Sequence, residues 1–175
     1  IPGVESQGLA TIIPLALLGR EEMKMRTETD SRDRPGRWVM VNRVSPEWFR
    51  TVRIPLLAGR DFTADDRPES PRVVIVNETL AKQHWPDSDP IGQRLTMTFS
   101  PNDEEPAREV IGLVADTIPF RGASEVPPLI YVLHRQQSTQ QRASLEGRRT
   151  VMSFIVRTSG DPLALGDAVR AQVGK

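Results

Sequence analysis

An α+β fold, built from mixed β-sheet with a few short helices, is what the sequence predicts, and three observations predict it. Short apolar runs rich in β-branched residues recur along the chain, at residues 73–76 (VVIV), 109–117 (EVIGLVADT), 129–133 (LIYVL) and 151–157 (VMSFIVR). Helical windows are few and short, each opened by a capping residue or proline. Proline stands at 15 of 175 residues, about 9% against an average near 5%, and the prolines that can be placed fall mostly at element ends.

The elements follow in order. Residues 4–13 carry β-branched side chains and are closed by Pro14, which favours a strand. Met23, Lys24, Met25, Arg26, Thr27 and Glu28 alternate apolar with polar or charged residues, as a half-solvated strand does. The polar stretch DSRDRPGR at 30–37 reads as a turn or mobile loop, and residues 38–44 (WVMVNRV) resume strand character. Ser45 before Pro46 predicts a capped helix over 46–52, with proline at its first position. Pro55 ends it, Leu56, Leu57 and Ala58 lead into a Gly59 turn, and TADDRPESP at 63–71 is turn chemistry. After the 73–76 strand, Asn77 is placed to cap a helix over 78–84, with Glu78 favourable to its dipole and Pro86 as its stop.

Beyond Pro86, residues 87–92 (DSDPIG) form a tight loop, and 93–99 return to alternation. PNDEEP at 101–106 reads as an exposed acidic hairpin loop, and Gly112 marks a bulge or close packing in the 109–117 strand. From His134 to Arg149 the chain is polar and rich in Gln, Arg and Ser, which reads as a mobile loop. Asp161-Pro162 opens a last helix on which Leu163, Leu165, Val169 and Val173 share one side.

Composition bounds function. Hydrophobic residues make up 38%, about 45% with glycine, at the low edge for globular domains. The chain can therefore fold, without a rich core. Lys+Arg and Asp+Glu balance at 23 each, which argues against a general nucleic-acid or anionic-membrane binder. With no cysteine, disulfides, zinc-thiolate sites and cysteine nucleophiles are excluded together. The longest uncharged apolar stretch, GLATIIPLALLG at 8–19, contains Pro14 and falls short of the roughly 20 residues a spanning helix needs. The chain opens IPGVESQG without Met or a basic segment, so it reads as a piece of a longer gene.

Candidate chemistry is sparse. His84 sits at a helix end beside Trp85, and His134 opens the Gln-rich loop; neither has the partner that a catalytic base or metal ligand requires. Asp61, Asp65, Asp66 and Glu69 are the local carboxylate cluster, but they lack the EF-hand spacing and distal Glu. Their structural reading is that Asp61 ties a turn and Asp65 or Asp66 accepts backbone hydrogen bonds, with Arg60 free to pair with another loop through its fork. Of the 23 basic residues 20 are arginine, scattered along the chain as a solvated surface would have them. No nucleophile elbow, phosphate loop, dinucleotide glycine motif or H-E-x-x-H occurs. The residues thus nominate no catalytic, cofactor-binding or metal site.

The ordered string of motifs says more than any one of them. Pro2-Gly3-Val4, Val44-Ser45-Pro46 with Trp48-Phe49, Ile54 to Phe62 (IPLLAGRDF) and Val74 to Ala81 (VIVNETLA) come first. Trp85-Pro86, Asp89-Pro90-Ile91-Gly92, Val110 to Asp116 (VIGLVAD), Ile130-Tyr131, and Val156-Arg157-Thr158 with Asp161-Pro162 follow. This order resembles the MacB-like periplasmic core domain of ABC transporter permeases of the FtsX/MacB type, over nearly the whole chain. Within that family it is most similar to the orphan, duplicated-permease branch, in which the domain lies between the first and second membrane helices.

The resemblance implies a porter-like βαβ lobe joined to a smaller inserted α/β lobe, with 1–60 and 150–175 forming one and 61–149 the other. It implies a membrane-tethered domain on the periplasmic face of the bacterial inner membrane. The partners implied are a second permease half or copy, an ATPase subunit of the parent transporter and a periplasmic partner, with no nucleic acid. The expected role is non-catalytic transmission of ATP-driven helix motion; the alternative is a free-standing extracytoplasmic ligand-binding or adhesion module. One departure is Trp48 before Phe49, where the family carries a tyrosine-phenylalanine pair; the Gln/Arg loop near residue 140 matches no family motif.

Overall fold

The computed structural model describes residues 2–15, 21–30, 36–98, 106–119, 123–136 and 152–173. Nine strands form one mixed sheet: β1 (Val4–Ala10), β2 (Glu22–Thr27), β3 (Arg37–Val44), β4 (Leu56–Gly59), β5 (Val73–Asn77), β6 (Arg94–Thr98), β7 (Arg108–Val114), β8 (Leu129–Leu133) and β9 (Ser153–Thr158). Among the described residues three α-helices accompany them: α1 (Trp48–Val52), α2 (Glu78–His84) and α3 (Gly166–Val173). The α+β class is therefore as the sequence predicts.

The pairing runs β2-β6-β7-β5-β8-β3, and β3 pairs back onto β2, so six strands close into a ring. β3 with β8 and β5 with β7 are parallel; the other pairs are antiparallel. The connection from β5 through α2 to the parallel β7 supplies the βαβ unit, with β6 inserted on the way. β1 joins the ring through β3, β9 extends β1, and β4 takes the C-terminal half of the β7 edge whose N-terminal half pairs with β6.

Strand periodicity divides the core in two. Alternate side chains Val74 and Val76, Ile130 and Val132, Met23 and Met25 fill the ring interior, which Leu80, Ala81 and Trp85 from α2 and its end close off. The intervening Val73, Ile75, Leu129, Tyr131 and Leu133 face outward into a second cluster covered by Trp48 and Phe49 of α1. β5 and β8 are thus buried on both faces at every position, which is why they read as continuous apolar runs. Phe49 meets the Tyr131 ring edge-on, centroids 4.8 Å apart. Burial pushes the Tyr131 phenol up to about 12, so it is a neutral core hydroxyl.

Three local expectations are corrected. Helix α1 starts at Trp48, not Pro46, and no side chain caps it: Glu47 precedes it in a left-handed conformation, φ 64°. The Ser45 hydroxyl that sequence assigns to the cap instead accepts from the Leu9 amide at 2.9 Å. Leu56 to Gly59 form an edge strand, a consequence of the β7 partner, rather than a lead-in to a turn. The last helix starts at Gly166 after a short 3-10 turn at Leu163–Leu165, and Leu163 is 87% exposed, so it takes no part in a buried stripe.

Glycine placements hold. Gly59 has φ +73° and lies so close to the Ile111 carbonyl that a Cβ would collide with it. Gly112 lies opposite it in the pairing, beside a register shift, and a Cβ there would sit 2.6 Å from the Arg60 carbonyl.

Candidate functional site

The acidic loop is organised by its own arginine. Arg60 does not reach another loop; its guanidinium forks onto Asp66 at 2.9 and 2.8 Å. Asp66 also accepts from the Thr63 amide at 2.8 Å, and the Arg60 bonds hold its carboxyl below the usual range. Asp61 accepts from the Phe62 amide at 2.6 Å, the turn tie expected of it, while burial pushes its own carboxyl up. Asp65 and Glu69 point to solvent. Among the described residues no three acidic or histidine side chains converge as a cation site.

The histidines sit in separate surroundings. His84 ends α2 half-buried, its Nε2 enclosed without a partner among the described residues. Burial, with Arg37 nearby, lowers its pKa, and Asp30 opposes the shift. His134 lies with Nδ1 3.2 Å from the Val44 carbonyl, at the start of a 3-10 turn. Its neighbour Gln136 is buried, accepting from the Val73 amide and donating to the Arg67 and Pro71 carbonyls. The loop read over 134–149 thus starts on a fixed anchor; residues 137–149 lie outside the described residues, as do most of the turn at 30–37 and of the acidic hairpin at 101–106.

Asn77 does more than cap. Its Oδ1 accepts from the Leu80 amide at 3.1 Å, the expected cap, and also from Leu129 at 2.9 Å at the head of β8. Its Nδ2 donates to Asp116 at 2.8 Å and to the Pro127 carbonyl at 3.0 Å. Asp116 further accepts from the Thr79 amide and hydroxyl at the first turn of α2. Sequence reasoning left Asp116 without a role; the signal available was a carboxylate just past a buried strand. The node ties β5, α2 and the head of β8 to Asp116 just past β7.

A groove lies elsewhere on the molecule. It measures about 560 Å³ and runs along the Gln7-Gly8-Leu9 segment of β1. Ser45, Pro46 and Glu47 form one end, Phe62, Thr63 and Ala64 of the Arg60-pinned loop form a wall, and Arg135 and Phe154 complete it. Ser45 and Thr63 are engaged, with Leu9 and Asp66 respectively. Among the described lining residues Glu47 and Arg135 set two opposite charges on a contact surface that includes Phe62 and Phe154.

The fold recurs in transporter domains. The periplasmic region of MacB from Actinobacillus actinomycetemcomitans superposes with a TM-score of 0.63 at 14% identity, covering 100% of this chain and 70% of that one. The extracellular domain of the noncanonic ABC-type transporter YknZ from Gram-positive bacteria gives 0.58 at 14%, covering 100% and 79%. A domain assigned to a permease protein of Porphyromonas gingivalis gives 0.59 at 18%, covering 99% and 65%. A search of curated proteins finds no match. The closed mixed sheet thus has the fold of the MacB periplasmic region. A family model for the MacB-like periplasmic core domain matches residues 10–174, and the chain belongs to that family. No helix among the described residues is long and apolar enough to cross a membrane.

Proposed function

We propose that the chain is the non-catalytic extracytoplasmic domain of an ABC-type permease, transmitting ATP-driven motion of membrane helices to a substrate or partner on the periplasmic face of the inner membrane. Family membership carries the reading. The pairing of the first strand with the last supports it: Val4 pairs with Thr158, the Ser159 amide donates to the Gly3 carbonyl at 3.0 Å, and a Cβ on Gly3 would lie 3.5 Å from Leu165. The start of β1 and the end of β9 therefore lie side by side, an arrangement that suits a domain inserted between two neighbouring membrane helices. A ring buried on both faces at β5 and β8 suits transmission, because close-packed interiors carry displacement with little compression. On this reading a second permease half or copy and an ATPase act through the parent protein.

The parent gene tests this directly. An apolar span of about 20 residues is expected ahead of residue 1 and another soon after residue 175. A gene encoding neither removes the permease reading and leaves the free-standing binding module.

A further inference from the structure

β1 has two edges, and they are treated differently. One pairs with β9 from Val4 to Ala10. The other meets β3 only at Ala10, opposite Val44, and then Ser45, whose amide and hydroxyl bond the Leu9 carbonyl at 3.0 Å and its amide at 2.9 Å. There β3 stops following: Ser45-Pro46-Glu47 swing the chain into α1, and Glu47 holds a left-handed φ of 64° that a glutamate rarely adopts. Peptide groups of a strand point alternately to its two edges. Gln7, two residues before Leu9, therefore directs its N–H and C=O to the same side as Leu9, where β3 contributes no pairing and the groove opens. Among the described residues no strand pairs with this edge of β1 at Gln7, and the loop that Arg60 and Asp66 pin walls the groove beside it.

We propose that this groove binds an extended peptide by strand addition to β1. Its main chain pairs with Gln7, and alternate apolar side chains lie on Phe62 and Phe154. A cationic side chain faces Glu47 and a carboxylate faces Arg135, the two opposite charges that line the groove. The volume falls in the range of about 300–1,000 Å³ typical of ligand sites. The assignment rests on the folded domain alone and stands whether or not the parent protein is a permease.

Amide shifts of the 15N-labelled 175-residue chain, titrated with a capped Lys-Val-Thr-Val-Thr-Val-Glu peptide and its charge-reversed counterpart, test it. Saturable shifts are expected at Gln7, Leu9, Thr63, Ala64 and Arg135, with one charge order preferred. N-methylating the central peptide amides, or Ala64→Trp in the wall, weakens binding about tenfold or more, some 1.4 kcal/mol. Glu47→Arg with Arg135→Glu, both side chains reaching the surface, inverts the preference and guards against a misfolded Ala64→Trp. No binding at millimolar peptide, shifts lying elsewhere, or affinity indifferent to N-methylation and to the charge swap overturns the proposal.

Discussion

At the scale of single residues, His84 has a consequence for pH. Its folded-state pKa is lowered by burial and by Arg37, whereas in the unfolded chain it titrates near 6.5. Below about pH 6.5 the unfolded state then binds the proton first, so stability falls as pH drops from 6.5 toward the lower folded value and is fully present above 6.5. Asp30 works in a separate window. Burial pushes its carboxyl up, but hydrogen bonds from the Thr27 amide and hydroxyl at 2.8 and 2.9 Å prevail and its pKa is lowered. Its contribution is lost only further into acid, below the unfolded carboxylate value of about 3.9. Melting temperatures between about pH 5 and 8 should fall on the acid side for the parent chain, and His84→Gln should flatten that slope. An unchanged slope in the variant removes His84 as its source. None of this was legible beforehand: the sequence places His84 at a helix end, but Asp30 after β2 and Arg37 at the start of β3, which act on it, lie 54 and 47 positions away.

Elements read well where their determinants are local, and poorly where a distant partner decides. Helix α2 has the boundaries its sequence predicts, because Asn77, Glu78 and Pro86 are all adjacent to it. The start of α1 misreads because the Ser45 hydroxyl is taken by Leu9, 36 positions away. β4 misreads because its strand state exists only against β7. The groove was invisible for the same reason, since its floor, wall and ends come from five separated segments. Asn77 shows how an element-level cap becomes a tertiary joint. A lost cap alone costs about 1 kcal/mol, yet Asn77→Ala also orphans the buried Leu129 amide and takes one donor away from the Asp116 carboxylate. The expected loss is therefore about 2–3 kcal/mol, read as a lowered urea midpoint. Asn77→Asp keeps the acceptor for Leu80 and Leu129 but sets a second carboxylate against Asp116, so it should not restore the parent midpoint. A loss near 1 kcal/mol for the alanine variant would confine Asn77 to capping.

For the whole molecule, the division expected at residues 60 and 150 and the pairing of the sheet make different demands on cooperativity. The ring needs β2 against β6 and β3 against β8, so each of these pairs joins a strand of one expected lobe to a strand of the other. Both core clusters also share strands: Val74 faces the ring interior while Ile75 faces the outer cluster. Losing either cluster exposes one face of β5 and β8, and strands buried on both faces have no stable half-packed state to retreat to. The three tryptophans sample these regions separately, since Trp48 lies in the outer cluster, Trp85 in the inner one, and Trp38 is 60% exposed beside Lys24. Removing Trp38 with either Trp85 or Trp48, as phenylalanine, leaves one reporter for each cluster. Within each variant, the urea transition of the remaining tryptophan should coincide with that of far-ultraviolet circular dichroism, as a single cooperative unit requires. If instead either tryptophan reports its own earlier transition while strand signal persists, the two lobes fold as separate units despite the strands they share.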